Sequence, residues 1–448
     1  MQKTESNILQ LISFSKLSKW SANALNVGHF QSAYPLVPLS KILTRIKEPI
    51  IVNDTQKYKR ITVRLYGQGV LLRDEVEGRE IGTKRQFIAH AGQLIISRID
   101  ARNGAFGIVP SELEGAIVTN DFWLFDVNNA IPYFLMLILS SDHFQKHWQK
   151  QSSGTTNRQR VDEDSFTNSK IPLPSLNEQK RILDTYTSLL DSAKDADEEI
   201  ALLNSRVAQI LVESLKIEIE SLAFDSIMVF AHLKDISRWD PQYLSSKVTI
   251  KSIYPLVPIS FVVKNLLVDE SGSSLRRDTH EEMNKRYLYI GMEHVEKGTG
   301  VCNYQAVYGS DILSQTIHVP HNYVIYGKLR PYLNKYWENK TSHDNIICSS
   351  EFLVFDTHHI NRNYFIEVLS SEIIQKQLPS LYSGARMPRI TESDFLNLQI
   401  PLPPLNVQDD IVKQVKDIRC SISRLTQIAT SKRSEAKRQF EEAVFGET

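Results

Sequence analysis

The chain has 448 residues, of which 42% are hydrophobic and 23% are charged, and its formal net charge is zero. A chain of this length is too long for one ordinary hydrophobic core, and its composition favours about two to four globular domains. The zero net charge excludes a uniformly basic chain but not a local basic face. The three cysteines are scattered, which argues against a disulfide framework or a zinc site and is typical of the cytoplasm, and no apolar stretch is long enough to span a membrane.

The chain begins with "MQKTESNILQLISF", which lacks the apolar block and the cleavage site of a signal peptide. Further on, the Val- and Ile-rich segment 116–127 ("AIVTNDFWLFDV") predicts strands. Segment 132–150 ("PYFLMLILSSDHFQKHWQK") predicts a helix. We therefore expect an α/β region of about 140 residues at the start of the chain.

Two polar, basic loops of this region are candidate DNA contacts. In "SRIDARNGAFG" the candidates are Arg98, Arg102 and Asn103, and in "SSGTTNRQR" they are Thr155, Thr156, Asn157, Arg158, Gln159 and Arg160. Arg can bind guanine through two hydrogen bonds, Asn and Gln can bind adenine, and Thr can hold phosphates. The alternative interpretation, for each residue alone, is an ordinary solvated loop.

A junction and a long helix come next. In "IPLPSLNEQKRI" (171–182) the Pro-x-Pro stretch cannot be helical, so it predicts an extended lead-in to the helix that follows. Ser175 or Asn177 can cap this helix. Its apolar residues alternate spacings of 4 and 3, which predicts a coiled-coil seam. The seam residues are Ile182, Tyr186, Leu189, Ala193, Ala196, Ile200, Leu203, Val207 and Ile210.

The second half of the chain repeats the first. "YPLVPLS" at 34–40 matches "YPLVPIS" at 254–260, "LSSDHFQK" at 139–146 matches "LSSEIIQK" at 369–376, and "IPLPSLNEQKRI" matches "IPLPPLNVQDDI" at 400–411. A second seam follows at Ile411, Val415, Ile418, Ile422, Leu425 and Ala429. Collinear matches of this kind indicate a duplicated architecture in which the two seams pair with each other. The alternative is that each helix packs only on its own domain.

Between the repeated segments the second half carries basic loops at the same places as the first. "YGKLRPYLNKYW" offers Lys328, Arg330, Asn334 and Lys335, and "YSGARMPR" offers Tyr382, Arg386 and Arg389. Loops that combine glycine and arginine at matching places in both halves favour DNA contact for the loops as a set.

Catalytic motifs are not evident in the sequence. It contains no G-x-G-x-x-G, Walker or H-E-x-x-H pattern, so we expect no cofactor and no metal. "WDPQY" at 239–243 is similar to the D-P-P-Y loop of adenine methyltransferases, but Gln242 replaces the second proline. Three E-x-K pairs, at 178–180, 338–340 and 435–437, are interpreted as solvated charges rather than nuclease ligands.

Taken together, the variable halves, the repeated phrase and the helices resemble the DNA-specificity subunit of type I restriction–modification systems. The most specific segments are "SGTTNRQRV…SFTNSKIPLPSLNEQKRI" and "WDPQYL". The resemblance implies an α+β fold with an internal pseudo-twofold repeat. Two tandem α/β target recognition domains would be separated by two long helices that form an antiparallel coiled coil, with the domains at opposite ends. The expected boundaries are 1–170 and 224–399 for the domains, and 171–223 and 400–448 for the spacer helices.

The resemblance also implies a function. Each target recognition domain would read one half of a bipartite asymmetric site on double-stranded DNA. The helices would set the half-site spacing and bind two methyltransferase subunits, and restriction subunits can join the complex. The chain would be cytoplasmic and non-catalytic, and Arg98, Arg102, Asn103, Thr155, Thr156, Asn157, Arg158, Arg160, Lys328, Arg330, Lys335, Arg386 and Arg389 would contact DNA.

Three alternatives stay open. The chain could be the specificity subunit of a type IIB system, a stand-alone DNA methyltransferase or nuclease with unrecognised motifs, or a scaffold that does not bind DNA. Neighbouring reading frames, an assay of the lone chain with methyl donor, and salt-dependent DNA binding would separate these alternatives from the first reading.

Overall fold

The computed structural model describes most of the chain. The described ranges are 32–65, 69–101, 104–145, 163–221, 248–277, 282–381 and 386–446. Contacts divide the chain into two compact units: unit 1 comprises Met1–Ala196 with Gln427–Thr448, and unit 2 comprises Asp197–Thr426. Within the described ranges, no helix is both long and apolar enough to cross a membrane.

Unit 1 is built on two sheets. Its strands are β1 (Leu36–Pro38), β2 (Leu43–Ile46), β3 (Pro49–Ile51), β4 (Lys57–Val63), β5 (Val70–Glu77), β6 (Arg85–Ala89), β7 (Leu94–Ser97), β8 (Phe106–Ile108), β9 (Ala116–Val118), β10 (Phe122–Val127) and β11 (Lys170–Pro172). The strand orders are β2-β10-β7-β8 and β3-β6-β9-β4-β5, and β1 pairs with β11. The short helices of this part of the unit include α1 (Pro132–Ser140) and α2 (Glu163–Thr167).

Unit 2 repeats this order. Its strands are β12 (Glu218–Ser221), β13 (Val248–Lys251), β14 (Leu256–Pro258), β15 (Val263–Lys264), β16 (Arg276–Arg277), β17 (Arg286–Ile290), β18 (Gln305–Tyr308), β19 (Thr316–His318), β20 (Val324–Gly327), β21 (Tyr336–Glu338), β22 (Ile346–Ser349), β23 (Phe352–Thr357) and β24 (Gln399–Pro401). The sheets are β15-β23-β20-β21 and β16-β19-β22-β17-β18, with the pairs β12-β13 and β14-β24. Its short helices are α4 (Arg362–Ser370), α5 (Glu372–Gln375) and α6 (Glu392–Leu396).

The central strands are buried on both faces, as the apolar runs predict. In β10, Trp123 and Phe125 pack on the helical side, and Leu124 packs on the side of the five-stranded sheet. In β23, Leu353 and Phe355 face one core and Val354 faces another. Because side chains alternate along a strand, a continuous apolar run serves two cores at once.

The long helices are α3 (Leu176–Leu215) and α7 (Leu405–Phe445). Ser175 caps α3, because its hydroxyl oxygen accepts a hydrogen bond from the N–H of Glu178 at 3.4 Å. Every predicted seam residue of both helices is buried or half-buried, and this confirms the predicted periodicity.

The two helices pair inside each unit. In unit 1, Tyr186 near the start of α3 lies against Phe440 near the end of α7, with ring centroids 5.8 Å apart. In unit 2, Leu211 at the end of α3 shares a core with Ile411 and Val415 at the start of α7. Early residues of one helix therefore meet late residues of the other in both units, which is the order of an antiparallel pair.

The repeated phrase forms the same junction in both units. Its Pro-x-Pro part is the strand β11 or β24, and a glutamine lies on the first turn of the helix that follows. Gln179 accepts a hydrogen bond from the N–H of Ile131 and donates one to the carbonyl of Pro174. Gln408 does the same with Asn361 and Pro403. The phrase therefore connects each sheet domain to its helix through a buried amide.

Candidate nucleic-acid interface

The two basic loops predicted in the second half meet in the structure. The segment after β20 pairs with the segment before α6: the N–H of Arg330 donates to the carbonyl of Pro388 at 2.7 Å, and the N–H of Ile390 donates to the carbonyl of Lys328 at 3.1 Å. Leu329 and Arg389 form an antiparallel bridge between these two bonds. Two stretches about 60 residues apart in the sequence thus form one surface.

Arg389 is fixed in this surface by a carboxylate. Its Nη2 and Nε lie 2.8 and 3.0 Å from the two carboxylate oxygens of Glu351. These hydrogen bonds hold the pKa of Glu351 below its ordinary value of 4.5 and raise the pKa of Arg389. The N–H of Lys328 also donates to the carbonyl of Glu351. Glu351 therefore connects both loops.

Two predicted contact residues support the loop from within. Lys335 donates from Nζ to the carbonyl of Met292. Asn334, which is only 9% exposed, donates to the carbonyl of Ser370 at 2.7 Å. Both bonds stabilise the loop, and they direct these two side chains into the domain.

The other cations of the loops face outward. Arg330 and Arg386 are exposed, and Lys328 is half-exposed. Arg330 has a φ of 49°, in the left-handed region that is costly for a residue with a side chain. An arginine held in that conformation at an exposed edge is a strained residue of the kind that clusters at functional sites.

The first half has a residue at the equivalent of this surface. Arg98 occupies the position of Lys328 in the repeat: its N–H donates to the carbonyl of Asp121 at 2.8 Å, and its guanidinium lies 5.6 Å from the ring centroid of Trp123. The other predicted residues of this half lie outside the described residues. They are Arg102, Asn103, Thr155, Thr156, Asn157, Arg158, Gln159 and Arg160.

Three residues of the second surface had not been singled out from the sequence. Glu351 organises the loops, and Tyr332 and Met387 place large apolar side chains on the exposed side, with 44% and 51% of their surface accessible. Tyr332 lies 230 residues after Arg102, so the offset of the repeat was the signal that could have found it.

Nothing among the described residues resembles a metal-dependent nuclease centre. No group of three or more His, Cys, Asp or Glu side chains there is arranged to hold a metal ion. The E-x-K pair at 338–340 is not the solvated pair expected, because the Glu338 side chain is 9% exposed and lies 2.7 Å from Lys340 Nζ. Glu338 also lies 3.9 Å from Arg362, so it is a structural, charge-paired carboxylate.

The family follows from comparison with known proteins. Residues 38–201 and 267–431 each match the type I restriction modification DNA specificity domain. Together these segments make up more than half of the chain. The protein therefore belongs to the type I restriction–modification DNA specificity family, with its domain present twice, and the predicted resemblance, repeat and fold class are confirmed.

Two curated relatives come from Escherichia coli. The EcoDI specificity subunit is 24% identical over 132 residues, which is 29% of each protein. The EcoAI specificity subunit is 37% identical over 82 residues, which is 18% of this chain and 14% of that protein. The matched segments thus span less than a third of either relative's length.

Solved structures of the same kind were also matched. The HsdS subunit from Thermoanaerobacter tengcongensis is 16% identical, with 93% of this chain and 97% of that chain covered and a TM-score of 0.37. The S subunit from M. genitalium is 11% identical, with coverage of 93% and 97% and a TM-score of 0.43.

Proposed function

We propose that this chain is the sequence-specific DNA-recognition subunit of a type I restriction–modification complex. It reads a bipartite asymmetric site on double-stranded DNA and positions methyltransferase and restriction subunits, in the cytoplasm and without catalysis of its own. The observation that carries this proposal is the presence of two specificity domains in one chain, on one frame and with different loops. Because both domains have the same fold, they would bind DNA in the same orientation. Because their loops differ, they would recognise different half-site sequences.

The surface formed around Arg330 and Arg386 supports a DNA contact in the second half. Exposed arginines can bind phosphates or the edge of guanine, and a rigid loop lowers the entropy lost on binding. We assign Arg330, Arg386 and Lys328 to direct contact. Arg389 and Lys335, whose side chains are already bonded, position the loop. In the first half we retain Arg98, Arg102, Asn103, Thr155, Thr156, Asn157, Arg158 and Arg160 as candidates.

For the division of the chain we propose target recognition domains at 1–170 and 224–399, and spacer helices at 171–223 and 400–448. The contact-based units differ from these segments because each unit combines one sheet domain with half of each long helix. The proposed domains and spacer helices are consecutive segments of the sequence, whereas each compact unit groups the residues that pack together in space.

Two methyltransferase subunits are the proposed partners. Each unit carries a groove beside its helices. The groove of unit 1 has about 400 Å³ and includes Tyr186 and Phe440, and the groove of unit 2 has about 770 Å³ and includes Trp337 and Val415. Grooves lined by both apolar and polar side chains suit protein partners. A duplicated chain with a groove beside the helices in both units fits two copies of one subunit.

The proposal is tested by co-expression with a type I methyltransferase subunit from the same genome. Native mass measurement is expected to show two methyltransferase subunits per chain, and a one-to-one complex at saturating partner would contradict the symmetric assignment. Sequencing of methylated DNA from the same cells is expected to show one bipartite motif. The lone chain, incubated with methyl donor and duplex DNA, should transfer no methyl group, whereas transfer would favour a stand-alone enzyme.

A further inference from the structure

The loop after β20 ends in a rigid tip. Residues Pro331–Leu333 form one 3₁₀ turn, and the residues on both sides of it, Arg330 and Asn334, have left-handed backbones with φ of 49°. A left-handed conformation is disfavoured at an arginine and persists only where surrounding structure enforces it. The tip is therefore held in one shape.

The supports of this tip are visible on both sides. Before the turn, the N–H of Arg330 is bonded to the carbonyl of Pro388. After the turn, Asn334 is bonded to the carbonyl of Ser370 and Lys335 to that of Met292. Tyr332, in the middle of the turn, is thus presented from a fixed base.

The tip and the segment bonded to it each carry one exposed, large apolar side chain. Tyr332 is 44% exposed, and Met387, one residue before the bonded Pro388, is 51% exposed. Arg330 lies two residues before Tyr332, Arg386 lies directly before Met387, and both arginines are exposed. Exposed large apolar side chains among arginines suit a nucleic acid, because its phosphates attract the cations while its bases offer apolar faces and thymine methyl groups.

We propose that Tyr332 is a specificity-determining residue that packs its ring against a base of the second half-site, and that Met387 completes the apolar contact. This inference rests on the proposed function of the chain. The chemical group that the ring suits is the C5-methyl group of thymine, which is read by apolar contact. Arg102 occupies the equivalent position of the repeat in the first half. The two domains thus differ in chemistry at one equivalent position, as reading of two different half-sites requires.

The test uses the assembled methyltransferase complex and a duplex carrying the bipartite motif found by methylation sequencing. Tyr332→Ala is expected to weaken binding about tenfold and to relax one or two positions of the second half-site only. Replacing thymine by deoxyuridine at the relaxed position removes the methyl group. This replacement is expected to weaken binding by the wild type and to leave binding by Tyr332→Ala unchanged.

Two further variants make the test specific. Tyr332→Phe keeps the ring and is expected to bind and methylate as the wild type does. A Phe variant that behaves like the Ala variant would show that the hydroxyl makes the contact and would overturn the apolar assignment. Tyr308→Ala removes a tyrosine that is 53% exposed on β18, and it is expected to leave the motif unchanged. An equal loss in Tyr308→Ala would overturn the inference.

Suppose that the wild-type complex methylates a bipartite motif and that Tyr332→Ala changes neither this motif nor the affinity for DNA. This result would overturn the role given to Tyr332 and leave the proposed function of the chain intact. A wild-type complex that neither binds duplex DNA nor methylates a bipartite motif would overturn the proposed function, and this inference with it.

Discussion

Gln179 and Gln408 show how a single side chain joins two parts of the fold. Each is essentially fully buried, and each amide uses its oxygen and its nitrogen on a different segment of backbone. For Gln408 both hydrogen bonds are 2.7 Å long. A buried amide with both ends bonded fixes the angle at which α7 leaves the sheet domain, because no water can replace its partners.

Gln408→Ala is expected to destabilise unit 2 by about 1–3 kcal/mol, because it leaves the N–H of Asn361 and the carbonyl of Pro403 without partners in a buried site. Hydrogen exchange of the peptide around Asn361, together with chemical denaturation, measures the effect. The control is Gln209→Ala, which removes an exposed amide bonded only to Glu213. It should change stability by less than about 0.5 kcal/mol. Equal effects of both variants would contradict the role given to Gln408.

His90 is held between two carboxylates on the surface of the first domain. Its ring nitrogens lie 2.7 Å from Glu114 and 2.9 Å from Glu48. The hydrogen bond to Glu114, followed by that to Glu48, raises the pKa of His90 above its ordinary value of 6.5. By contrast, burial lowers the pKa of His318, whose Nε2 lies 2.9 Å from the carbonyl of Asp344.

An NMR titration is therefore expected to place the midpoint of His90 above pH 6.5 and that of His318 below it. Glu114→Gln should lower the midpoint of His90 and leave His318 as the internal control. Because the folded pKa of His90 is raised, its contribution to stability is fully present below about pH 6.5 and is lost as the pH rises through the raised pKa. His90→Gln should consequently lower stability at acidic pH and have no effect through this group at alkaline pH. The change should be small, since all three groups are partly exposed.

At the scale of elements, the short helix that follows the central strand, α1 in unit 1 and α4 in unit 2, carries different residues towards the long helices in the two halves. In unit 2, Arg419 of α7 donates to the carboxylate of Glu367 on α4 at 3.0 Å and to Asn204 of α3 at 2.9 Å. The residues at the equivalent places of unit 1 are Leu137 and Leu190. One half thus carries a half-buried ion pair at places where the other half carries leucines.

Replacing one residue of the Arg419–Glu367 ion pair should destabilise unit 2 more than replacing both. Glu367→Leu or Arg419→Leu alone leaves an uncompensated charge and is expected to destabilise unit 2 by about 1–3 kcal/mol. The double variant Glu367→Leu/Arg419→Leu removes both charges and introduces the residue type found at the equivalent places of the first half, and it should recover stability to within about 1 kcal/mol of the wild type. A double-mutant cycle by chemical denaturation measures the coupling. Additive losses would contradict a direct interaction between the two side chains.

The sequence predicted the elements, whereas it left open where individual polar side chains point. The seams that begin at Ile182 and Ile411 could be predicted because the spacing of apolar residues along a helix determines which face is buried against a second helix. The direction of a polar side chain leaves no such period. The hydrogen bond from Lys335 to the carbonyl of Met292 was therefore not predicted. Likewise, the pairing of Arg389 with Glu351 depends on tertiary contacts that no local pattern records.

At the scale of the whole molecule, a chain of zero net charge is proposed to bind a polyanion. Neutrality requires that the favourable charge be local, as it is at the edge formed by Arg330 and Arg386, or that partner subunits supply part of it. The repeated frame implies that each half carries its own edge. Contacts of one half should then be independent of contacts of the other.

This independence gives the last prediction. In the assembled complex, Arg386→Ala should weaken binding or relax preference at one half-site only, and Arg158→Ala should do so at the other. A lost base contact costs about 1–3 kcal/mol and changes specificity, whereas a lost phosphate contact weakens all sequences alike and lowers the salt slope by about one unit. Duplexes altered in one half-site at a time, measured over a range of salt concentrations, separate these outcomes. Arg424→Ala, an exposed arginine on α7, is the control and should leave both half-sites unaffected. Equal changes at both half-sites in either variant would rule out the division of reading between the two domains.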